Sequence, residues 1–182
     1  FLFTGNMTTP VGGESQQTLM FAWNKNNNKT SLSYIGSSDY NSVGRAITIS
    51  LDNSVIIVGS SALQPYAVKT DTMGNIIWEQ VYDTYPLLNW LTDIIPVPNE
   101  PAYYVIGTVG YNIYGADILI AKISDLTGEM LWDTTYNFGA IDAGGRLIRS
   151  QFGGYIAGSA MNGIGSIYRG AVLKFDNNFN LT

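Results

Sequence analysis

Acid–base chemistry of the glycosidase kind needs two carboxylates held roughly 5–10 Å apart in one cleft. Asp83, Asp93, Glu100 and Asp142 are candidates for it, yet they are dispersed along the chain and no spacing places two of them together. Lys69, Lys122 and Lys174 recur at intervals of about 53 and then about 52 residues. Such a series could form a ring of cations for an anion. The preferred reading is that their stems cover apolar surface while the ammonium groups reach water or a neighbouring carboxylate. Asp71, Asp125 and Asp176 could hold calcium, but no dense run of oxygen ligands surrounds them, and their spacing from the following turns fits hairpin capping. The chain has no His and no Cys. That removes the Ser-His-Asp arrangement, imidazole and thiolate metal sites, His-ligated haem and disulfides together. No metal, cofactor or catalytic residue is assigned from the sequence.

The remaining candidates are contact groups. Trp78 and Trp132 lie about 54 residues apart, close to the lysine interval. That repetition assigns them to packing between repeats rather than to a ligand. Trp90, Tyr111, Tyr114 and Tyr168 fall in or beside connections of variable length, where exposed aromatic rings suit contact with sugars or proteins. Padding of long loops explains them equally well. Asn6-Met7-Thr8, Asn28-Lys29-Thr30 and Asn180-Leu181-Thr182 are N-glycosylation acceptors in a chain that meets the modifying enzymes. Asn28 and Asn180 fall in equivalent hairpins and Asn6 in a different connection, and all three are expected to be exposed.

The element that must position these groups is a hairpin, Asp117 to Tyr136. Ile118, Ile120 and the stem of Lys122 alternate with Leu119 and Ala121, as a period of two requires. Ser124-Asp125-Leu126-Thr127-Gly128 is turn chemistry, and Met130, Trp132, Thr134 and Tyr136 share one face of the return. The unit recurs. Strands ending in Gly are expected at Phe1–Gly5, Val55–Gly59, Tyr103–Gly107 and Tyr155–Gly158. Strands ending near Lys follow at Leu19–Trp23, Tyr66–Lys69, Ile118–Lys122 and Ala171–Lys174. Third strands run Leu32–Ile35, Trp78–Tyr82 and Trp132–Tyr136; fourth strands run Arg45–Leu51, Trp90–Val97 and Arg146–Phe152. About four strands in about 50 residues is the arithmetic of a β-propeller. The expected fold is therefore all-β, in four-stranded antiparallel blades with incomplete blades at both ends. The division is a partial blade at 1–42, blades at 43–88 and 89–143, and a partial blade at 144–182.

Composition agrees with an ordered, strand-rich chain: 46% of the 182 residues are hydrophobic, only 13% are charged, and 20 are Gly. With a net charge of -5 and only 9 Lys plus Arg, there is no basic stripe for a nucleic-acid backbone. No apolar run approaches the ~18 residues of a membrane span. Phe1–Gly5 is too short for a signal peptide, and the chain is expected to be processed or part of something longer.

The unit Asp117–Tyr136, followed by Gly145–Gly158, resembles a propeller repeat widespread in secreted and cell-surface proteins of prokaryotes and protists. Its pattern runs Asp, alternating apolar residues, Lys, Asp, Gly, Trp, Tyr and then a Gly-Gly-Tyr strand ending in Gly. Ala67–Gly74 with Trp78 and Tyr82, and Phe152–Gly158, carry the same resemblance. Thr127-Gly128-Glu129-Met130-Leu131-Trp132 is also similar to a signature of pyrroloquinoline-quinone propellers, but that likeness lies in the structural hairpin. The first unit departs, with Trp23 in the Lys place and Leu32 in the Trp place. The resemblance implies an extracellular or cell-surface protein. With no His, no Cys and no clustered carboxylates, the expected role is a non-enzymatic structural or interaction module, the repeating part of a fibre or larger propeller. Its partners would be flanking blades, other copies of itself or glycans. The alternative is a ligand- or carbohydrate-binding propeller; a quinone-dependent dehydrogenase ranks below both.

Overall fold

The computed structural model describes residues 2–8, 16–24, 29–35, 41–83, 87–112, 115–162 and 168–182. Their regular elements are all strands. β1 (Leu2–Thr8), β2 (Gln16–Asn24) and β3 (Lys29–Ile35) make a three-stranded sheet. β4 (Ser42–Ile49), β5 (Val55–Ser61), β6 (Gln64–Thr70) and β7 (Ile76–Val81) make a complete blade. So do β8 (Leu87–Pro96), β9 (Ala102–Asn112), β10 (Gly115–Ser124) and β11 (Met130–Tyr136). β12 (Ile141–Arg149), β13 (Tyr155–Asn162) and β14 (Tyr168–Phe175) form a second three-stranded unit. Pairing inside each unit is antiparallel between consecutive strands; one parallel bridge, Ala116 to Ile141, links β10 to β12 of the next unit. The chain is a β-propeller-like stack of blades.

The central strands of the two complete blades are largely apolar because both of their faces are covered. Val55 and Ile57 of β5, with Tyr66 and Val68 of β6, pack toward Ile35 of the first sheet. Ile56, Val58 and Ala67, one residue out of phase, meet Leu91, Tyr103, Val105 and Leu119 of the following blade. Ile106, Ile118 and Ile120 then meet Leu147, Ala157, Leu173 and Phe175. The period of two thus sends alternate residues of one strand into two different interfaces.

The strands that lead each unit, β4, β8 and β12, lie at one edge and contact one another from blade to blade. They are the inner strands. Each carries a bulge that leaves one residue unpaired: Arg45, Thr92 and Gly145. Opposite the bulge the neighbouring strand comes so close that a Cβ on Gly59 would lie 1.7 Å from the Val43 carbonyl oxygen, and one on Gly107 2.1 Å from that of Trp90. This is why the first strand of the repeat ends in Gly. Gly5 pairs with Leu19 in the first sheet. Gly158 does not hold the equivalent place. It pairs with Arg146, and Ser159 faces Gly144 where Gly107 faces Leu91. A Cβ on Gly158 would meet nothing.

The turns between the second and third strands also differ from expectation. Asp71 N–H donates to the Asn75 carbonyl and accepts at its own carbonyl from Gly74 N–H; Asp176 does the same with Asn180 and Phe179. In the middle hairpin it is Ser124 that donates, to the Glu129 carbonyl, and accepts from Gly128 N–H. Counting from the lysines, Ser124 is therefore the partner of Asp71 and Asp176, and this turn is one residue longer. Asp71 and Asp176 cap their turns, accepting from Met73, Asn75, Asn178 and Asn180 N–H. Ser124 Oγ takes that role for Leu126 and Thr127 N–H. Asp125 is the extra residue and does not cap. In the first sheet, Trp23 faces Thr30 and Leu32 faces Phe21, so Leu32 is not in the Trp place.

Gly128 has φ +72, and a Cβ there would lie 2.6 Å from the Trp78 ring, whereas Gly153 has φ +91 with nothing within 4 Å. Gly153→Ala therefore tests backbone strain alone, at about 1 kcal/mol. Gly128→Ala adds displacement of a buried indole, and the expected loss is about 3 kcal/mol. Urea unfolding of the two variants checks the difference; equal losses would remove the packing argument.

Candidate functional site

Asp125 reaches back from its turn into the preceding blade. Its Oδ1 accepts from Ser50 Oγ at 2.6 Å and from Lys69 Nζ at 3.0 Å. Its backbone carbonyl accepts from Trp78 Nε1 at 2.9 Å and from Lys69 Nζ at 3.2 Å. Lys69 is only 2% exposed and also pairs with Asp52 at 2.9 Å. Burial works against its charge, but the two carboxylates outweigh burial and hold the ammonium above its ordinary value. Tyr82 Oη donates to the Gly128 carbonyl at 2.7 Å. Lysine, tryptophan and tyrosine of one blade thus all end on a single turn of the next. The arrangement is a lock between blades.

The next junction keeps only part of it. Tyr136 Oη donates to the Phe179 carbonyl as Tyr82 does to Gly128. Phe179 replaces the glycine, is 4% exposed, and stacks on Tyr155 with centroids 4.5 Å apart. Trp132 packs beside it at 5.6 Å and stays 38% exposed. Lys122 pairs with Glu100 at 2.5 Å instead of with the next turn, and Lys174 is exposed. The three lysines form no ring.

Asp93 is buried in β8, where its Oδ2 accepts from Leu147 N–H at 2.9 Å and its Oδ1 from Arg146 Nη1 at 3.2 Å. It fastens one inner strand to the next. Asp83 is exposed. Asp142 is fully buried in β12 and, contrary to the expectation of dispersed carboxylates, has a neighbour: Asp117. The parallel bridge from Ala116 to Ile141 places these two residues, one step further along each strand, side by side across the blade junction. Asp117 Oδ1 accepts from Asn137 Nδ2 at 2.8 Å, and Asp142 Oδ2 accepts from Phe138 N–H at 2.5 Å. Asp142 Oδ1 is buried with no hydrogen-bond partner among the described residues. Burial raises the Asp117 carboxyl above the usual carboxylate range; the Asn137 bond opposes this and the Asp142 charge adds to it.

Trp90 lies in the inner strand β8, half-buried, with the Arg45 guanidinium 5.5 Å from its ring centroid. Arg45 is the exposed bulge residue of β4, so cation and ring sit together on the inner strands. Tyr111 and Tyr168 fall within β9 and β14. Tyr114 and Asn28 lie outside the described residues. Asn6 is in β1, opposite Thr18, rather than in a connection. Asn180 is exposed, with its side chain bonded to Asp176 Oδ2 at 2.9 Å. Among the described residues no three acidic side chains gather as a metal would need. Asp117 escaped the sequence reading because it stood as the first letter of a repeat. The available signal was an acidic residue at the head of a strand that is otherwise apolar.

No family model matches the chain, and no curated protein matches it. Solved structures do. A bifunctional GH43-CE protein of Bacteroides eggerthii matches with a TM-score of 0.55 and 10% identity over 96% of this chain; the chain spans 23% of that protein's length. An exo-1,5-alpha-L-arabinanase from a bovine ruminal metagenomic library matches with a TM-score of 0.55 and 10% identity, covering 94% of this chain and 70% of that one. These neighbours overturn two expectations, that the chain is a non-enzymatic structural module and that it is not an enzyme. The backbone is similar to that of a GH43-CE protein and of an arabinanase, and Asp142 lies near enough to Asp117 for its charge to act there.

The lock makes a pH prediction. Asp52 is held well below the usual carboxylate range by its Ser54 hydroxyl bond first and by Lys69 second. Its contribution to stability is therefore present above an unfolded value of about 3.9 and is lost as pH falls through the lower folded value. Lys69→Met removes the second cause, leaves Asp125 buried without its cation, and is expected to cost ~3 kcal/mol at neutral pH. Its melting temperature should fall less steeply than that of the wild type between pH 4 and pH 2; parallel curves would show that Lys69 does not set the Asp52 charge.

Proposed function

We propose that the chain is a carbohydrate-processing propeller, working on a glycan at the inner strands and the adjoining blade junction. The observation that carries this reading is the match of nearly the whole backbone to two glycan-cleaving proteins. The side chains supply two further supports. Trp90 beneath Arg45 offers a ring face and a hydrogen-bonding cation, a pairing suited to a sugar. Asp117 offers a carboxyl group that burial and the Asp142 charge push above the usual carboxylate range, the kind of group that can give a proton. Asp117, the less buried of the two, takes the part of proton donor to the leaving oxygen, and Asp142 that of its charged neighbour. An extracellular setting belongs to the same proposal: polymeric glycans lie outside cells, the repeat resembles those of surface proteins, and the exposed Asn180 acceptor is open to modification.

Purified protein should release reducing ends from arabino-oligosaccharides or a related polysaccharide. Asp117→Asn is expected to lower kcat by about 10²-fold, and Trp90→Ala to raise KM with a smaller change in kcat. Trp90 also favours a second reading, a propeller that binds glycan without cleaving it. Wild-type binding to an arabinan column that Trp90→Ala weakens, with no reducing ends formed, would select it. Neither binding nor cleavage across a polysaccharide panel would remove both.

A further inference from the structure

The two blade junctions can be compared residue by residue. Gln64 and Asp117 occupy the same place at the heads of β6 and β10, each five residues before Lys69 and Lys122. Asn89 and Asp142 occupy the same place in β8 and β12, each two residues before the residue that faces Gly107 or Ser159. Asn89 and Asp142 are both fully buried. At the first junction the pair is an amide hydrogen bond: Asn89 Nδ2 donates to Gln64 Oε1 at 3.1 Å, while Asn89 Oδ1 accepts from Gly110 N–H at 2.7 Å. At the second junction the same two places hold carboxyl groups. Each accepts one hydrogen bond from the segment after β11, from Asn137 or Phe138, and neither can donate unless it is protonated.

The charge is not met from elsewhere among the described residues. On β8 and β12, Asp93 and Arg146 are paired with each other. On β10, Lys122 is paired with Glu100 at the far end of the strand. Asp133 of β11 is exposed opposite Ala121. Arg169 of β14 is exposed and stands two strands from Asp142, beyond Met161. β13 presents no charged side chain. The Asp142 charge already acts on Asp117 to raise its carboxyl, and with both groups ionised Asp142 Oδ1 would be left without a partner.

We propose that Asp117 and Asp142 share one proton at neutral pH, held between Asp117 and Asp142 Oδ1 in the place where the preceding junction has its Asn89–Gln64 bond. The proton supplies the donor that the amide supplies there, occupies the orphaned oxygen, and leaves the pair with a single negative charge. The junction thereby carries a carboxylic acid that stays protonated where ordinary carboxyl groups are ionised. Its use as the acid of glycan cleavage rests on the function proposed above; the sharing itself does not.

The test uses the whole chain with its aspartate side-chain carboxyl carbons labelled with carbon-13, titrated by NMR from pH 3 to pH 9. Asp117 is expected to titrate at least one unit above the ordinary value of about 3.9. In Asp142→Asn, where an amide can donate to Asp117, its midpoint should fall back to the ordinary value or below. The double variant Asp117→Gln with Asp142→Asn copies the preceding junction. The melting temperature of the wild type relative to this variant should fall as pH rises from 4 to 8, because the folded state holds the proton more tightly than the unfolded chain does. That stabilisation is complete below about 3.9 and is lost as pH rises through the folded midpoint. An ordinary or lowered Asp117 midpoint in the wild type would overturn the proposal. So would a calcium-induced rise in melting temperature that the double variant lacks, since the charge would then be met by a cation. Neither readout involves turnover, so failure of the glycan assay leaves this result standing, and the reverse also holds.

Discussion

In the two complete blades the strands β5, β6, β9 and β10 are covered on both faces, and that constraint governs the rest. In a two-layer sheet one face meets water, and polar side chains have somewhere to go. Here Val55, Ile56, Ile57 and Val58 are all buried, alternate residues belonging to different interfaces. Polar groups survive in such a stack only where a partner is supplied, within the blade as for Ser42 with Ser61 or from the neighbouring blade. Lys69 with Asp125, Asn89 with Gln64 and Asp93 with the Leu147 amide are all of the second kind, and all cross from one blade to the next. Blade-to-blade register is therefore held by directional bonds as well as by apolar area, which by itself tolerates sliding.

Much of this was legible in the sequence because the information was local. Alternation within a strand, turn residues between strands and recurrence at the blade period fix strand identity without any knowledge of packing. The strands of the two complete blades overlap the places that the apolar runs and the turns give them, with β8, β9 and β10 longer than expected and β4 running Ser42–Ile49 rather than Arg45–Leu51. Gly59 and Gly107 were read as repeat marks, and their cause is a backbone approach that admits no Cβ. The failures came from one-residue slips. Asp125 looked like the partner of Asp71 because both follow a lysine, and Gly158 looked like the partner of Gly59 because both end a strand. Hydrogen-bond pattern and register move each by one place. A slip of one residue changes which face a side chain occupies, so these small errors alter chemistry more than they alter the fold.

The carboxylate pair was illegible for a different reason. Asp117 and Asp142 belong to different blades and are brought together by a single parallel bridge. No local pattern encodes that contact. It follows from the stacking of blades, which places the start of β10 beside the inner strand β12 of the next unit. Once the stacking is known, the contact is general, and Gln64 with Asn89 shows the same meeting one blade earlier. What differs is the residue type, and the difference is chemical rather than architectural.

That distinction explains how a backbone can resemble glycan-cleaving enzymes while sharing 10% of its residues with them. The stacking geometry needs small residues at close approaches, apolar residues on both faces of the central strands, and a paired polar group at each junction. Many sequences meet those demands. Whether a junction is inert or reactive depends on which polar pair fills it. Two amides satisfy one another and stay neutral at every accessible pH. A lysine between two carboxylates is satisfied and carries little reactivity, since its proton is held tightly. Two carboxyl groups satisfy one another only through a proton or a cation, and so must exchange something with their surroundings. The two described junctions share one backbone geometry and differ in the pair that fills it, Gln64 with Asn89 at one and Asp117 with Asp142 at the other.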